Sequence, residues 1–171
     1  EAEVTAREAE FARLRGADPA RAKFAGELSE TTVAGAQILL LMPHTLMNRS
    51  GRSVGEAVEF YKLDVADVLV VCDDFHLPLG ELRMRARGSD GGQKGLADIH
   101  RRLGTTDVPR LRIGIGPAPP QWDAADFVLS RFTAQERPAV DQQVRRAAEA
   151  IDVWITQGIQ AAMNQYNGKP D

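Results

Sequence analysis

Val68-Leu69-Val70-Val71-Cys72 is an unbroken apolar run that stops at the paired carboxylates Asp73-Asp74. A run of this length and composition is expected to form a strand buried on both faces, as in a parallel sheet. Ile38-Leu39-Leu40-Leu41, closed by Pro43, repeats the pattern. Between the two, Val54, Ala57, Val58 and Tyr61 fall on one stripe of a predicted helix. Further on, Leu82-Arg83-Met84-Arg85-Ala86-Arg87 alternates, which puts three arginines on one face of a predicted edge strand. Arg110–Gly116 supplies another strand. Strands and helices in this order predict an α/β fold: a single domain over 1–171 with a mixed, mainly parallel sheet and helices on both faces. In such sheets the ligand crevice lies outside the C-terminal strand ends. That rule singles out the loop carrying Asn48, the Asp73-Asp74 pair and Gly116.

The rest of the chain fills in around these strands. Glu1 to Arg15 reads as a helix and Lys23 to Val33 as a strand. Thr133-Ala134-Gln135-Glu136 resembles a capping box, with Pro138 suited to a first helical turn. Val140, Val144, Ala148, Ile151, Ile155, Ile159, Met163 and Tyr166 then step by three or four residues, a stripe of roughly eight turns that predicts one long C-terminal helix. Gly168–Asp171 reads as a frayed tail.

The 171 residues are 43% hydrophobic and 26% charged, with a formal net charge of −3. A globally acidic chain is not an indiscriminate binder of nucleic acid. Charge is unevenly placed, however: Arg83 to Arg112 holds eight Lys or Arg against three Asp. One basic tract on an acidic protein suits a particular polyanion at a particular place. The single cysteine excludes an internal disulfide framework and fits a reducing compartment. No apolar run reaches the ~20 residues of a membrane span. The expectation is a cytoplasmic protein without a membrane partner.

Within the basic tract lies Gly88-Ser89-Asp90-Gly91-Gly92-Gln93-Lys94-Gly95-Leu96, which empties into a helix carrying Leu96, Ile99 and Leu103. Its glycines free the backbone for positive φ, and a helix N-terminus beside Lys94 is a plausible seat for an anion. Asp73 and Asp74 end an apolar strand, so at least one should be desolvated; such an acid orients a base, binds a metal or caps a turn. His76 is near, but no further ligand spacing supports a metal site. Asn48 is either a helix N-cap or a donor aimed into the crevice. No serine stands in a nucleophile elbow, and Gly114-Ile115-Gly116 lacks the third glycine of a dinucleotide fingerprint. Cys72 is most simply a small core residue.

Four motifs in order resemble the bacterial peptidyl-tRNA hydrolase family. They are Pro43-x-Thr45-x-Met47-Asn48-x-Ser50-Gly51, then Asp73-Asp74-x-x-Leu77-Pro78-x-Gly80, then Gly91-Gly92-Gln93-Lys94-Gly95-Leu96-x-x-Ile99, then Arg110-Leu111-Arg112-Ile113-Gly114-Ile115-Gly116. The resemblance runs from about Lys23 to the C-terminus. It implies hydrolysis of the ester joining a peptide to its tRNA, recycling tRNA after aborted translation, by a monomer without metal or cofactor. A histidine base activates water, an aspartate fixes its tautomer, and amide side chains position the peptide. Carried over by position, the orienting aspartate is Asp73. The substrate-binding positions are Leu46, Asn48, Gln93 and Lys94. Arg83, Arg85 and Arg112 match basic positions for the phosphates of the tRNA acceptor end.

Three departures accompany the resemblance. Leu46 stands where the family usually has Phe. Gln93-Lys94 replaces a His-Asn pair, and lysine donates but cannot accept. The family's base histidine belongs to a Thr-Arg-His-Asn motif after Gly-Asn-Pro-Gly, and neither motif occurs in these residues. Of the histidines present, His44 and His76 are expected to be solvated loop residues and His100 a surface residue of its helix. The chain is therefore expected to be impaired as a hydrolase: either a fragment of a normal enzyme, as the missing Met suggests, or a non-catalytic RNA-binding derivative. Loss of an interior strand should leave it marginally stable or self-associating. A small α/β phosphate-binding or nucleoside-processing domain is a third possibility.

Overall fold

The structure, a computed structural model, describes residues 11–169, without the side chains at 124 and 125. Most of the predicted opening helix lies outside those residues, and positions 11–14 are helical. The described chain is a mixed α/β fold that divides into two compact units.

One unit comprises residues 12–70 and 86–110. It opens with three antiparallel strands, β1 (Arg21–Lys23), β2 (Gly26–Val33) and β3 (Ala36–Pro43). Both connections are two-residue turns, at Phe24-Ala25 and Ala34-Gly35, in which all four residues have positive φ. Turns of that kind match the right-handed twist of paired strands. The apolar run Ile38–Leu41 therefore forms an antiparallel hairpin strand, half-buried rather than enclosed on both faces. Its uniform apolarity does not encode direction, and the turn that sets it has only one glycine to reveal it.

Helix α1 (Ser50–Tyr61) and helix α2 (Lys94–Leu103) pack together in the same unit. The buried residues of α1 are Ser50, Gly51, Ser53, Gly55 and Ala57, not the predicted apolar stripe, of which Ala57 alone is buried. A Cβ on Gly51 would run into the backbone of Asp98. Small residues let the helices approach closely, and apolar periodicity does not register them.

The other described unit comprises residues 71–85 and 111–169, together with Phe11. Its sheet has the order β4 (Val70–Pro78), β6 (Arg110–Gly116), β5 (Leu82–Arg85), two of these strands beginning in the unit above. Strand β4 does not stop at Asp73-Asp74 but continues through them to Pro78. Strand β5 alternates as predicted: Leu82 and Met84 are buried, Arg83 and Arg85 exposed. It is an edge strand, and the C-terminal segment covers it. The Asn167 side chain accepts from Met84 N–H at 2.6 Å and donates to Met84 C=O, while Gly168 bridges Leu82 antiparallel. Gly168 is thus a sheet partner and not part of a frayed tail.

Helices α3 (Ala124–Val128), α4 (Arg137–Gln157) and α5 (Ile159–Tyr166) complete this unit. The capping box forms as read: Glu136 accepts from Thr133 N–H at 2.7 Å and Thr133 Oγ1 at 2.8 Å. The long apolar stripe, however, is two helices. Gly158, at φ 86° and ψ 171°, interrupts it after α4, a conformation open to glycine. Leu77, Leu82, Met84, Leu111, Ile113 and Ala150 form the core. Gln143, fully buried among them, donates to the carbonyls of Glu81 and Gly114, both at 2.9 Å.

Candidate active site

Four of the predicted site residues sit in the first unit. Leu46 precedes a 3-10 turn, Met47–Arg49, that leads into α1; Leu46, Met47 and Asn48 are exposed. Asn48 is not an N-cap, because Arg49 holds the cap position and the local side-chain bond is Ser50 Oγ to Met47 C=O. The start of α1 is instead satisfied by Asp98, whose carboxylate accepts Gly51 N–H at 2.7 Å. This leaves the Asn48 amide on the surface as a donor and acceptor.

The glycine-rich loop meets that turn. Gly91 and Gly92 take φ of 60° and 85°, and Asp90 Oδ1 accepts Gly92 N–H. Gln93 caps α2, accepting Leu96 N–H at 2.7 Å, and its amide nitrogen lies 3.4 Å from Met47 Sδ. A Cβ on Gly95 would stand 3.0 Å from both Gln93 Oε1 and Met47 Sδ. Gly95 therefore permits the close approach of two loops that lie far apart in sequence. Lys94 is exposed at the first turn of α2. The generic anion seat is partly filled by the chain itself, since Gln93 occupies one of the helix's leading N–H groups.

His100, expected at the surface, is buried. Its Nε2 lies 2.8 Å from an Arg110 guanidinium nitrogen, which also donates to Gly88 C=O at 2.9 Å. Because the guanidinium can only donate, that ring nitrogen is the acceptor and the imidazole is neutral. Burial, and secondarily the Arg110 charge, push its pKa down. His100 and Arg110 thereby tie α2 to the glycine-rich loop. The arginines that follow His100 hid this role, although buried Leu96, one turn earlier, shares its helix face and is the signal that could have found it.

The remaining predicted residues belong to the second unit. Asp73 is half-buried at mid-strand in β4. The buried carboxylate is its neighbour: Asp74 is only 6% exposed. It pairs with Arg112 Nη1 at 3.3 Å, accepts His76 N–H at 2.9 Å and lies 3.4 Å from His76 Nδ1. Arg112 is itself largely covered, its side chain 17% exposed. His76 is exposed and stacks on Phe75 with ring centroids 4.2 Å apart. Arg83 and Arg85 project from the solvent face of β5, as the alternation requires. His44, on the hairpin unit, is exposed near Glu27 at 3.7 Å. Among the described residues, no three His, Cys, Asp or Glu side chains gather as a metal site.

Comparison with known proteins bears on the fold and the family. Residues 6–171 match the sequence family described as peptidyl-tRNA hydrolase. The chain is 44% identical over 149 residues to the peptidyl-tRNA hydrolase of Rhodopirellula baltica, covering 87% of this chain and 78% of that protein. It is 47% identical over 142 residues to that of Chloroflexus aggregans, covering 82% and 76%. Among solved structures, it is similar to the Acinetobacter baumannii peptidyl-tRNA hydrolase, with a TM-score of 0.85, 27% identity and coverage of 94% of this chain and 84% of that one. A structure of a peptidyl-tRNA hydrolase in complex with N-propanol gives a TM-score of 0.87 at 28% identity, with coverage of 96% and 85%. The fold and the motif-bearing loops thus define an α/β protein of the hydrolase class. The chain belongs to the peptidyl-tRNA hydrolase family.

Proposed function

We propose that residues 1–171 act as one cytoplasmic peptidyl-tRNA hydrolase-like domain that engages the acceptor end of peptidyl-tRNA, the complete family member being a monomer. The observation that carries this reading is the packing of Met47, the neighbour of Asn48, against Gln93 and Gly95, which sets two of the family's motifs side by side. In the reaction, water attacks the ester carbonyl, the bond to the ribose oxygen breaks, and the ribose hydroxyl leaves with a proton. Asn48 and the Gln93–Lys94 pair supply hydrogen bonds to the peptide and its carbonyl. Asp73 orients the base that removes the proton from water. Arg83 and Arg85 hold acceptor-stem phosphates, whereas Arg112, matched to the same role, is largely covered and has its charge offset by Asp74. Cofactors have no part in these steps.

None of His44, His76 and His100 stands in the base motif, and His100 is held neutral by burial and Arg110. The 171 residues therefore hydrolyse the ester only slowly on their own. Added imidazole tests the reading directly, because it supplies the missing proton acceptor. Hydrolysis of an N-acetylaminoacyl-tRNA by the chain should rise saturably with imidazole, and Asp73→Ala should remove most of the rise. A rate that follows imidazole identically with and without protein contradicts the assignment. His76→Ala should leave the rescued rate unchanged; a large loss would move the base role to the Asp74–His76 pair.

A further inference from the structure

The unit of residues 12–70 and 86–110 carries a second concentration of positive charge that none of these roles uses. Arg49 and Arg52 near the start of α1, and Arg101 and Arg102 near the end of α2, line an open cavity of about 420 Å³ together with Asp98. Guanidinium groups stay charged at any ordinary pH, so four around one cavity repel one another. Two of them are nonetheless held in place. Arg101 pairs with Asp98, whose side chain is 10% exposed and whose other oxygen accepts Gly51 N–H. The Arg102 stem lies against α1 at Gly55, where a Cβ would stand 2.6 Å from its Cγ and Nε. Glycine at that position is what lets the guanidinium cross the helix.

The neighbouring acids do not fill the cavity. Asp98 is engaged by Arg101 and the α1 backbone. Glu56 pairs with Arg52 at 2.9 Å and Glu59 with Arg102 at 3.5 Å, both on the exposed surface. Exposed pairs of this kind are weak and exchange readily for a better acceptor. Phosphate is one, because it takes two parallel bonds from one guanidinium. The volume exceeds that of one phosphate group, and no aromatic side chain is among the residues that line it.

The geometry points to a phosphodiester-binding site, in which Arg49, Arg52, Arg101 and Arg102 hold successive backbone phosphates of an RNA strand without reading its bases. The choice of RNA rests on the peptidyl-tRNA assignment; the affinity for closely spaced phosphates rests on the cavity itself. The site adds contacts to those of Arg83 and Arg85, which belong to the other unit.

Anisotropy of a labelled tRNA acceptor-stem hairpin, measured across a salt titration of roughly 50 to 200 mM, tests this. Each lost phosphate contact lowers the slope of log K against log salt by about 0.7 to 0.9. The double variant Arg49→Gln/Arg102→Gln should therefore lose about 1.4 to 1.8 from the slope and bind about tenfold or more weakly at the lowest salt. Gly55→Ala, which retains every charge but displaces Arg102, should weaken binding about threefold. Thermal melts confirm that both variants fold. An unchanged slope in the folded double variant overturns the inference. If Arg83→Gln/Arg85→Gln still lowers the slope in that case, the tRNA assignment stands without this site. Failure of the unaltered chain to bind the hairpin at the lowest salt overturns both. Calorimetric binding of tripolyphosphate that the double variant abolishes, with RNA slope intact, replaces the RNA site with one for small anions and so overturns the inference.

Discussion

His100 is an imidazole kept neutral in the fold, and this gives the chain a pH dependence of definite sign. Burial first, and Arg110 second, hold its pKa below the unfolded value. The folded state therefore binds fewer protons, and its stability is fully present above about pH 6.5 and lost as pH falls below that. Melting temperatures of the parent and of His100→Gln should converge or cross between about pH 7 and pH 5, with the parent losing more on acidification. Equal slopes for the two would show that another group governs that window. Gln143 makes a second residue-level case. Its amide satisfies two carbonyls of the second unit from a position that is 1% exposed. Glu81 C=O keeps a bond from Gly114 N–H, so Gln143→Leu should cost about 1–2 kcal/mol through the lost amide bonds, measured by urea denaturation. A loss below about 0.5 kcal/mol would mean that the Gly114 carbonyl finds another donor. Neither role is legible in the sequence, since a polar residue in a helical stripe does not announce which carbonyl it meets.

At the scale of elements, the sequence is legible where chemistry is local and opaque where it depends on neighbours. The arginine alternation of β5 and the Thr133–Glu136 capping box are set by residues a few positions apart, and both form as expected. Ile38–Leu41 and Val68–Cys72 are apolar for reasons that do not specify pairing direction or strand end, so neither the hairpin nor the continuation of β4 through Asp73-Asp74 shows in them. The buried small face of α1 is hidden for a related reason: Gly51 and Gly55 matter for what lies opposite them. Turn chemistry yields a prediction here. Phe24 and Ala25 adopt left-handed φ of 54° and 53° without being glycine or asparagine. Ala25→Gly should stabilise the chain by about 1 kcal/mol, seen as a higher denaturation midpoint. Destabilisation would contradict the turn. The edge of β5 yields another. Asn167→Ala removes the side-chain amide paired with Met84, and should expose the strand to association with other copies. Sedimentation should then show more oligomer than in the parent at equal concentration; an identical profile would show that Gly168 alone protects the edge.

For the whole molecule, family membership is legible because four short motifs keep their order along the chain, and order survives substitutions such as Leu46 and Lys94. The candidate site residues divide between the units: Asn48, Gln93 and Lys94 belong to one, while Arg83 and Arg85, open to solvent, belong to the other. Beside Asp73, which is half-buried, Asp74 is the more deeply buried carboxylate, a distinction that adjacent identical residues cannot signal. In the function proposed, these 171 residues supply the binding and orienting groups of a peptidyl-tRNA hydrolase, and added imidazole stands in for the proton acceptor. The most direct test is single-turnover hydrolysis of N-acetylaminoacyl-tRNA by the chain, with and without imidazole. The expected result is a rate near the uncatalysed one without imidazole and a saturable, Asp73-dependent acceleration with it. Hydrolysis at an enzyme-like rate in the absence of imidazole would contradict that division of roles.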